Sequence, residues 1–378
     1  MSKFKYFNSF VLIIFLYSGL IKWINIGIDI TLASLIVLIA ITLFNLKRKI
    51  KVIGPEIKII IIFGVLYSLT SIYTVSDSYF IEKILYLWMA IFSFILPSLV
   101  LKEEEEMSIF FNVYNIFGII CLLILSYLLL TGQWYIFITS TYDNINFPNY
   151  LAVGSFLGVF VLANIKRKNK IFRIISVIAI IFMILLSGRG PVIALLFSYI
   201  LYFLFSSGKI KQLVPFIIVL TVMYSAYLQF DEFEEVTNSF NRFTNLLGNE
   251  ERIGQIKEAS EIISNNFILG VGIGGYGIAS AGIDAFWHPH NIILEILSES
   301  GVFIFIIFLY FLFKIFFINN YKFLLNKISV IFPLIAFFLF IQAMKSGGIA
   351  DFRITFFWLG MMTYAVKKFK NNNLTFLN

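Results

Sequence analysis

The chain has one cysteine, two histidines and seven prolines among 378 residues, and only 13% of its side chains are charged. With Cys121 alone, neither a disulfide within the chain nor a cysteine metal site can form. The charged fraction is far below the roughly 25% of an ordinary soluble domain. In its place stand 60% hydrophobic residues, 45 phenylalanines and a mean hydropathy of +0.92. A soluble globule of this length cannot hide so much apolar surface. A soluble enzyme, a disordered chain and a secreted disulfide scaffold are therefore excluded. The net charge of +8 would raise nucleic acid as a partner of a soluble protein. In a membrane protein it reports topology, because basic residues collect in cytoplasmic loops, and no nucleic-acid partner is expected.

A bilayer core about 30 Å thick needs roughly 20 apolar residues per helix. Twelve such runs lie along the chain, centred on Phe7–Ile21, Ile24–Leu46, Ile57–Thr74, Ile81–Leu101, Ile109–Leu130, Phe147–Asn164, Ile171–Leu186, Pro191–Ser206, Leu213–Phe230, Ile292–Ile318, Ile328–Ala343 and Thr355–Val366. The first follows Lys3 and Lys5 but leads to no small-residue cleavage site, so it reads as a retained helix rather than a signal peptide. With the N-terminus in the cytoplasm and the runs alternating sides, 21 of the 29 basic residues fall inside. That asymmetry obeys the positive-inside rule and puts both termini in the cytoplasm. The outer eight are Lys22, Lys83, Arg189, Arg242, Arg252, Lys257, Lys345 and Arg353. Four of the chain's seven arginines are among them, and arginine suits forked recognition of phosphate or carboxylate. The expected fold is an all-α integral membrane protein of about twelve transmembrane helices.

The chain divides into helices one to nine (1–230), an extracytoplasmic loop (231–290) and the last three helices (291–378). A connection this long is functional or disordered as a rule. It opens on the acidic Asp231–Glu235. Ile253, Ile256, Ala259, Ile262 and Ile263 then recur at the spacing of an amphipathic helix. The stretch from Gly270 to Gly277 follows, and last comes Trp287-His288-Pro289-His290-Asn291. A smaller outer loop, Thr131–Asn146, carries a candidate interfacial helix. Gly270, Gly272 and Gly275 fit a GxGxxG pattern, but a dinucleotide site needs a preceding strand and a βαβ unit, and neither is visible. A flexible turn that folds the chain back on the membrane surface is the simpler reading.

Few residues can do chemistry. An imidazole titrates near neutrality, so His288 or His290 is a candidate general base; equally, both are interfacial residues and Asn291 caps the next helix. The spacing H-E-x-x-H is absent, which weighs against zinc. Arg189, between two apolar runs, either snorkels to the interface or meets a partner. Arg252, beside Glu250 and Glu251, is a candidate solvated ion pair or an anion ligand. Asp351 and Arg353 are close enough in sequence to pair. Asp29 qualifies as an intramembrane charge. The Glu103–Glu106 run reads as a solvated inner loop.

The stretch from His290-Asn291 through nine residues to Gly301, with Leu294, Glu295, Leu297 and Glu299 between, resembles the signature of the O-antigen ligase/polymerase superfamily. So do Ser187-Gly-Arg189-Gly at the start of a span, Arg252 followed by Ala259, and Asn266 to Gly275 ahead of the histidine. The motif resemblance covers roughly 186–301, and the span layout covers the whole chain. Ile304 departs from the small residue or tyrosine that ligases tend to have there. The resemblance implies a GT-C-like, metal-independent glycosyltransferase of the bacterial inner membrane, without cofactor, whose site faces the periplasm or cell exterior. Its substrates would be undecaprenyl-diphosphate-linked oligosaccharides. Carried over by motif, His290 is the candidate base, and Arg189, Arg252 and more weakly Arg242 are candidate diphosphate ligands. His288, Asn291, Glu295 and Arg353 are candidate supporting residues.

Outside the membrane no nucleotide sugar is supplied, so an activated donor must arrive on a lipid. A glycosyl diphosphate already has its leaving group. A base for the acceptor hydroxyl and positive charge for the departing diphosphate then suffice. The expected function is a capsular or O-antigen polymerase, which passes the growing glycan to an incoming lipid-linked repeat unit. An O-antigen ligase passing polymer to lipid A-core shares this machinery. A polysaccharide flippase is the alternative of another class, and it would need ionisable residues deep in several spans. A chain-length regulator protein is a candidate further partner.

Overall fold

The computed structural model describes residues 2–20, 29–46, 54–101, 103–139, 149–167, 169–186, 189–205, 248–318 and 330–368. Among these the regular structure is entirely helical. The helices are α1 (Ser2–Leu16), α2 (Ile30–Leu46), α3 (Pro55–Leu69), α4 (Tyr79–Val100), α5 (Glu104–Leu130), α6 (Trp134–Thr139), α7 (Tyr150–Asn164), α8 (Lys170–Leu185), α9 (Arg189–Phe205), α10 (Gly248–Asn265), α11 (Tyr276–Ala281), α12 (Ile292–Phe313), α13 (Ile331–Ser346) and α14 (Arg353–Lys368).

Eleven of the twelve apolar runs coincide with these helices; the ninth, Leu213–Phe230, lies outside the described residues. Four helical stretches are long and apolar enough to cross a bilayer: Pro55–Ile72, Tyr79–Val100, Glu104–Leu130 and Ile292–Phe317. Shorter apolar helices accompany them, among them Ile30–Phe44 and Ile331–Lys345. Large apolar side chains such as Ile36, Leu85, Leu123 and Phe303 stay exposed on outward faces, as in a bundle whose solvent is hydrocarbon. The small loop carries α6 as expected.

Helix starts follow local chemistry. Pro55 opens α3, where its missing N–H costs nothing. Asn149 and Asn169 cap α7 and α8 by accepting from Leu151 N and Ile171 N. Glu103 and Glu106 form a reciprocal capping box on α5, and Lys5 pairs with Glu103 and Glu105. Asp29 accepts from Thr31 N (2.8 Å) and Leu32 N (3.2 Å), so it caps α2 rather than standing as a charge within a span.

The core is aromatic and close-packed. Phe94 of α4 lies against Phe311 and Phe356, and Phe110 and Tyr114 of α5 lie against Trp358. Gly360 lets α14 press onto α4, since a Cβ there would sit 2.1 Å from the Phe94 carbonyl oxygen. Small residues at such crossings are how helices gain contact where hydrocarbon gives no hydrophobic drive.

One helix is broken. Gly301, in the middle of α12, has φ 71° and ψ 176°, a conformation essentially confined to glycine. The break frees the carbonyls of Ser298 and Glu299 for partners outside the helix. A Cβ at Gly301 would meet the Ile268 carbonyl oxygen at 2.2 Å. Gly301→Ala should therefore lower the melting temperature of the detergent-solubilised protein. The backbone strain alone is worth about 1–3 kcal/mol. An unchanged melting temperature would show that the break is not held by this contact.

Candidate functional site

The site is built on the first turns of α12. Glu295 and Glu299 are one turn apart and share a face. Lys83, from the first turns of α4, places its Nζ 2.5 Å from Glu295 Oε1 and 2.7 Å from Glu299 Oε1. All three side chains are buried. Buried charges persist only when paired and hydrogen-bonded, and here the pairing is nearly saturated. Tyr67 of α3 donates its hydroxyl to Glu299 Oε2 at 2.7 Å. The Gly274 and Tyr276 N–H groups donate to the same carboxylate at 3.1 and 3.3 Å. The Ile349 N–H, between α13 and α14, donates to Glu295 Oε2 at 2.9 Å.

The glycine stretch is the other half of this arrangement. Val271 N–H and Gly272 N–H donate to the carbonyls of Ser298 and Glu299, freed by the break at Gly301, each at 2.9 Å. Ile273 N–H donates to Thr70 Oγ1, and in return Val302 N–H donates to Phe267 O. Gly270, Gly272 and Gly274 all have positive φ. At Gly270 a Cβ would lie 2.4 Å from the Glu299 carbonyl oxygen. The anion this stretch cradles is the protein's own Glu299. Its donors are consumed, and no strand precedes it among the described residues, so neither a dinucleotide site nor a flexible turn describes it. Asp284 fastens the following loop by accepting from Ser76 Oγ, Asp77 N, Ser78 N and Ser78 Oγ. These bonds, that of Ser76 first, hold its carboxyl below the ordinary range.

The histidines sit on top. Asn291 caps α12 by accepting from Ile293 N (2.9 Å) and Leu294 N (3.2 Å). His290, just before the cap, has φ 50° and is the single non-glycine residue at positive φ among the described residues. Such conformations persist where the surroundings over-determine them, and they cluster at functional sites. The rings of Phe286, His288 and His290 meet in sequence at tilted angles, with centroids 4.8 and 4.5 Å apart. His288 is buried, and its Nε2 lacks a hydrogen-bond partner. Burial first, then the nearby His290 and Lys83, pushes its pKa down to about 3, so it is neutral at physiological pH. His290 is half-buried.

Of the expected anion ligands, Arg189 begins α9 and Arg252 lies on α10, but their side chains are outside the described structure. Arg242 and the Asp231–Glu235 segment lie outside the described residues altogether. α10 docks on α12 through Ala259 and Ile262, which pack with Val271, Tyr276 and Leu294, whereas Ile253 and Ile256 of the expected apolar face remain exposed. Arg353 is elsewhere: it donates to Leu16 O and Ser18 Oγ and lies over the Phe15 ring. No ion pair joins it to Asp351 among the described contacts. Sequence reasoning overlooked Lys83 and Tyr67. The available signal was the pair Glu295 and Glu299 entering an apolar run, which demands a buried cation from another helix.

The site is thus a clamped, histidine-bearing loop over a buried charge cluster, set in a bundle of apolar helices. Residues 174–309 match the family model described as O-antigen ligase. The match runs from α8 into α12 and takes in Arg189, Arg252, the glycine stretch, both histidines and both glutamates; Tyr67, Lys83 and Arg353 lie outside it. No curated protein matches the chain significantly.

Two outcomes follow. Lys83→Met leaves two carboxylates buried without their cation, a class of change that costs about 3–5 kcal/mol. The expected result is a marked fall in melting temperature; a melting temperature like that of the wild type would mean that the cluster is not a stabilising contact. The second concerns pH. The folded protein binds the His288 proton more weakly than the unfolded chain does, so this residue's contribution to stability is complete above pH 6.5 and declines as the pH falls towards 3. Between pH 6.5 and 5 the decline is about 2 kcal/mol. The wild type should lose more thermal stability over that interval than His288→Gln, and parallel curves would contradict the assignment.

Proposed function

We propose that the protein is a polysaccharide polymerase that transfers a growing glycan from undecaprenyl diphosphate to a sugar hydroxyl of an incoming lipid-linked repeat unit. The observation that carries this reading is the position of His290: half-buried, at a positive φ, on a loop clamped by the Glu299 cluster, inside the segment that matches the family model. The positive-inside asymmetry supports a site on the outer face with both termini in the cytoplasm.

In this scheme His290, through a neutral ring nitrogen, takes the proton of the acceptor hydroxyl as the oxygen attacks the anomeric carbon. The bond between that carbon and the diphosphate oxygen breaks, and the electron pair leaves on the diphosphate. Arg189 and Arg252, with Arg242 as a lesser contributor, meet the developing charge. The imidazolium proton then passes to solvent. Direct displacement inverts the anomeric centre, and the step needs neither metal nor nucleotide. His288, held neutral by burial, supports the His290 ring rather than acting as the base.

General-base catalysis is worth about 10²–10⁴-fold. His290→Ala should therefore reduce polymer formation from purified lipid-linked repeat by at least about a hundredfold while the variant still purifies as a folded protein; full activity would refute the scheme. A deletion strain separates the acceptors. Surface glycan limited to single repeat units indicates a polymerase, whereas accumulation of lipid-linked polymer indicates a ligase.

A further inference from the structure

The turn that joins α10 to the glycine stretch presents three consecutive large apolar side chains. Phe267, Ile268 and Leu269 are 51, 61 and 59% exposed. Between Glu261 and Asp284 the chain carries no charged side chain at all. A contiguous exposed apolar patch on such a segment marks a contact with something apolar.

Backbone contacts fix the height of this turn in the bundle. Val302 N–H donates to Phe267 O at 3.0 Å, and Tyr73 donates its hydroxyl to Leu269 O at 2.6 Å. The Ile268 carbonyl packs on Gly301, where a Cβ would lie 2.2 Å from its oxygen. The turn is therefore level with the break in α12, and it lies beside the residue that follows Ile72, the last of the apolar stretch containing α3. From Val302 to Phe317 the apolar stretch of α12 runs about 24 Å at 1.5 Å per residue. The sequence then turns polar at Asn319 and Asn320. A hydrocarbon core is about 30 Å thick. With the far end of the helix at one boundary of that core, the turn falls within the margin of the other, not in the water beyond it.

Two further observations fit hydrocarbon around the turn. The patch continues the lipid-facing sides of the neighbouring helices: Ile72 is 82% exposed next to Tyr73, and Phe303 is 65% exposed next to Val302. The backbone is also closed on itself. Irregular backbone survives at membrane depth only where the protein meets its polar groups. Phe267 O and Leu269 O have the partners named above, and Gly270 N–H donates to Asn266 O at 2.8 Å. Tyr73 is of the residue type that belts the membrane interface. On the approach from α10, the exposed Ser264, Asn265 and Asn266 give the patch a polar rim.

We propose that Phe267, Ile268 and Leu269 form a bilayer anchor. They insert among phospholipid acyl chains at the margin of the leaflet on the histidine side. The glycine stretch, and with it the histidine loop, is thereby held at a fixed height over the membrane. The partner is the bulk lipid of the bilayer, and the inference stands whether or not the protein is a transferase.

The test uses the full chain in vesicles of phosphatidylethanolamine and phosphatidylglycerol, without lipid-linked substrate. In a Cys121→Ala background, Ile268→Cys carries a nitroxide spin label. Phe303→Cys serves as the hydrocarbon reference, and Lys257→Cys, exposed on α10, as the water reference. Collisions are measured with molecular oxygen, which partitions into hydrocarbon, and with a water-soluble nickel chelate, which does not. The oxygen-to-nickel ratio at Ile268→Cys should approach that at Phe303→Cys and exceed that at Lys257→Cys at least about tenfold. A ratio like that of Lys257→Cys would overturn the anchor. So would a label shielded from both reagents, which would mean that protein covers the turn. The wild type gives an independent result that needs no substitution. Phospholipid with a photoreactive diazirine on its acyl chain should crosslink to the peptide holding 267–269 as it does to the peptide holding Phe303. Labelling of the Phe303 peptide alone would contradict the proposal.

Discussion

One lysine held between two glutamates organises the histidine end of the molecule. Lys83, Glu295 and Glu299 are buried in helices that are otherwise apolar, where an unpaired charge is expensive. The requirement that every one of their polar atoms find a partner draws separate parts of the chain to one point: α3 through Tyr67, α4 through Lys83, the glycine stretch through Gly274 and Tyr276, and the link between α13 and α14 through Ile349. A buried ion cluster is weak evidence for net stability. What it does supply is register, because this placement of the loop brings the Gly274 and Tyr276 N–H groups onto Glu299. The break at Gly301 serves the same end. By ending the α12 hydrogen-bond ladder early, it turns two helix carbonyls into a docking edge for the loop.

The chemistry inherits its geometry from that clamp. The loop leaves the glycine stretch, is tied down again by Asp284, and arrives at His288 and His290 with little freedom left. His288 is packed and neutral, whereas His290 is only half-buried. Its positive φ lies between a buried proline and a capping asparagine, where the surroundings fix the backbone.

The helical architecture was legible in the sequence because hydrocarbon solvent leaves the backbone few alternatives and writes them as long apolar runs. Asn291 was legible too, as a polar residue at the mouth of such a run, and it is the cap that its residue type implied. The glycine stretch was harder. Its pattern indicates backbone freedom and close approach, but only the fold reveals that the anion it approaches is Glu299. Lys83 was hidden for a related reason: counted with the outer basic residues it looks like a topology signal, and its two partners are more than two hundred positions away. Asp29 carried the opposite lesson, since a carboxylate beside an apolar run is as readily a helix cap as an intramembrane charge.

The dependence of the histidine loop on the buried cluster can be observed without turnover. Hydrogen–deuterium exchange across 270–290, compared between the wild type and Glu299→Gln, reads directly whether the carboxylate holds the amides of Gly274 and Tyr276. Exchange in this segment should accelerate well beyond any change in α5 or α7, which lie away from the cluster. Equal protection of 270–290 in both proteins would contradict the claim that Glu299 clamps the loop.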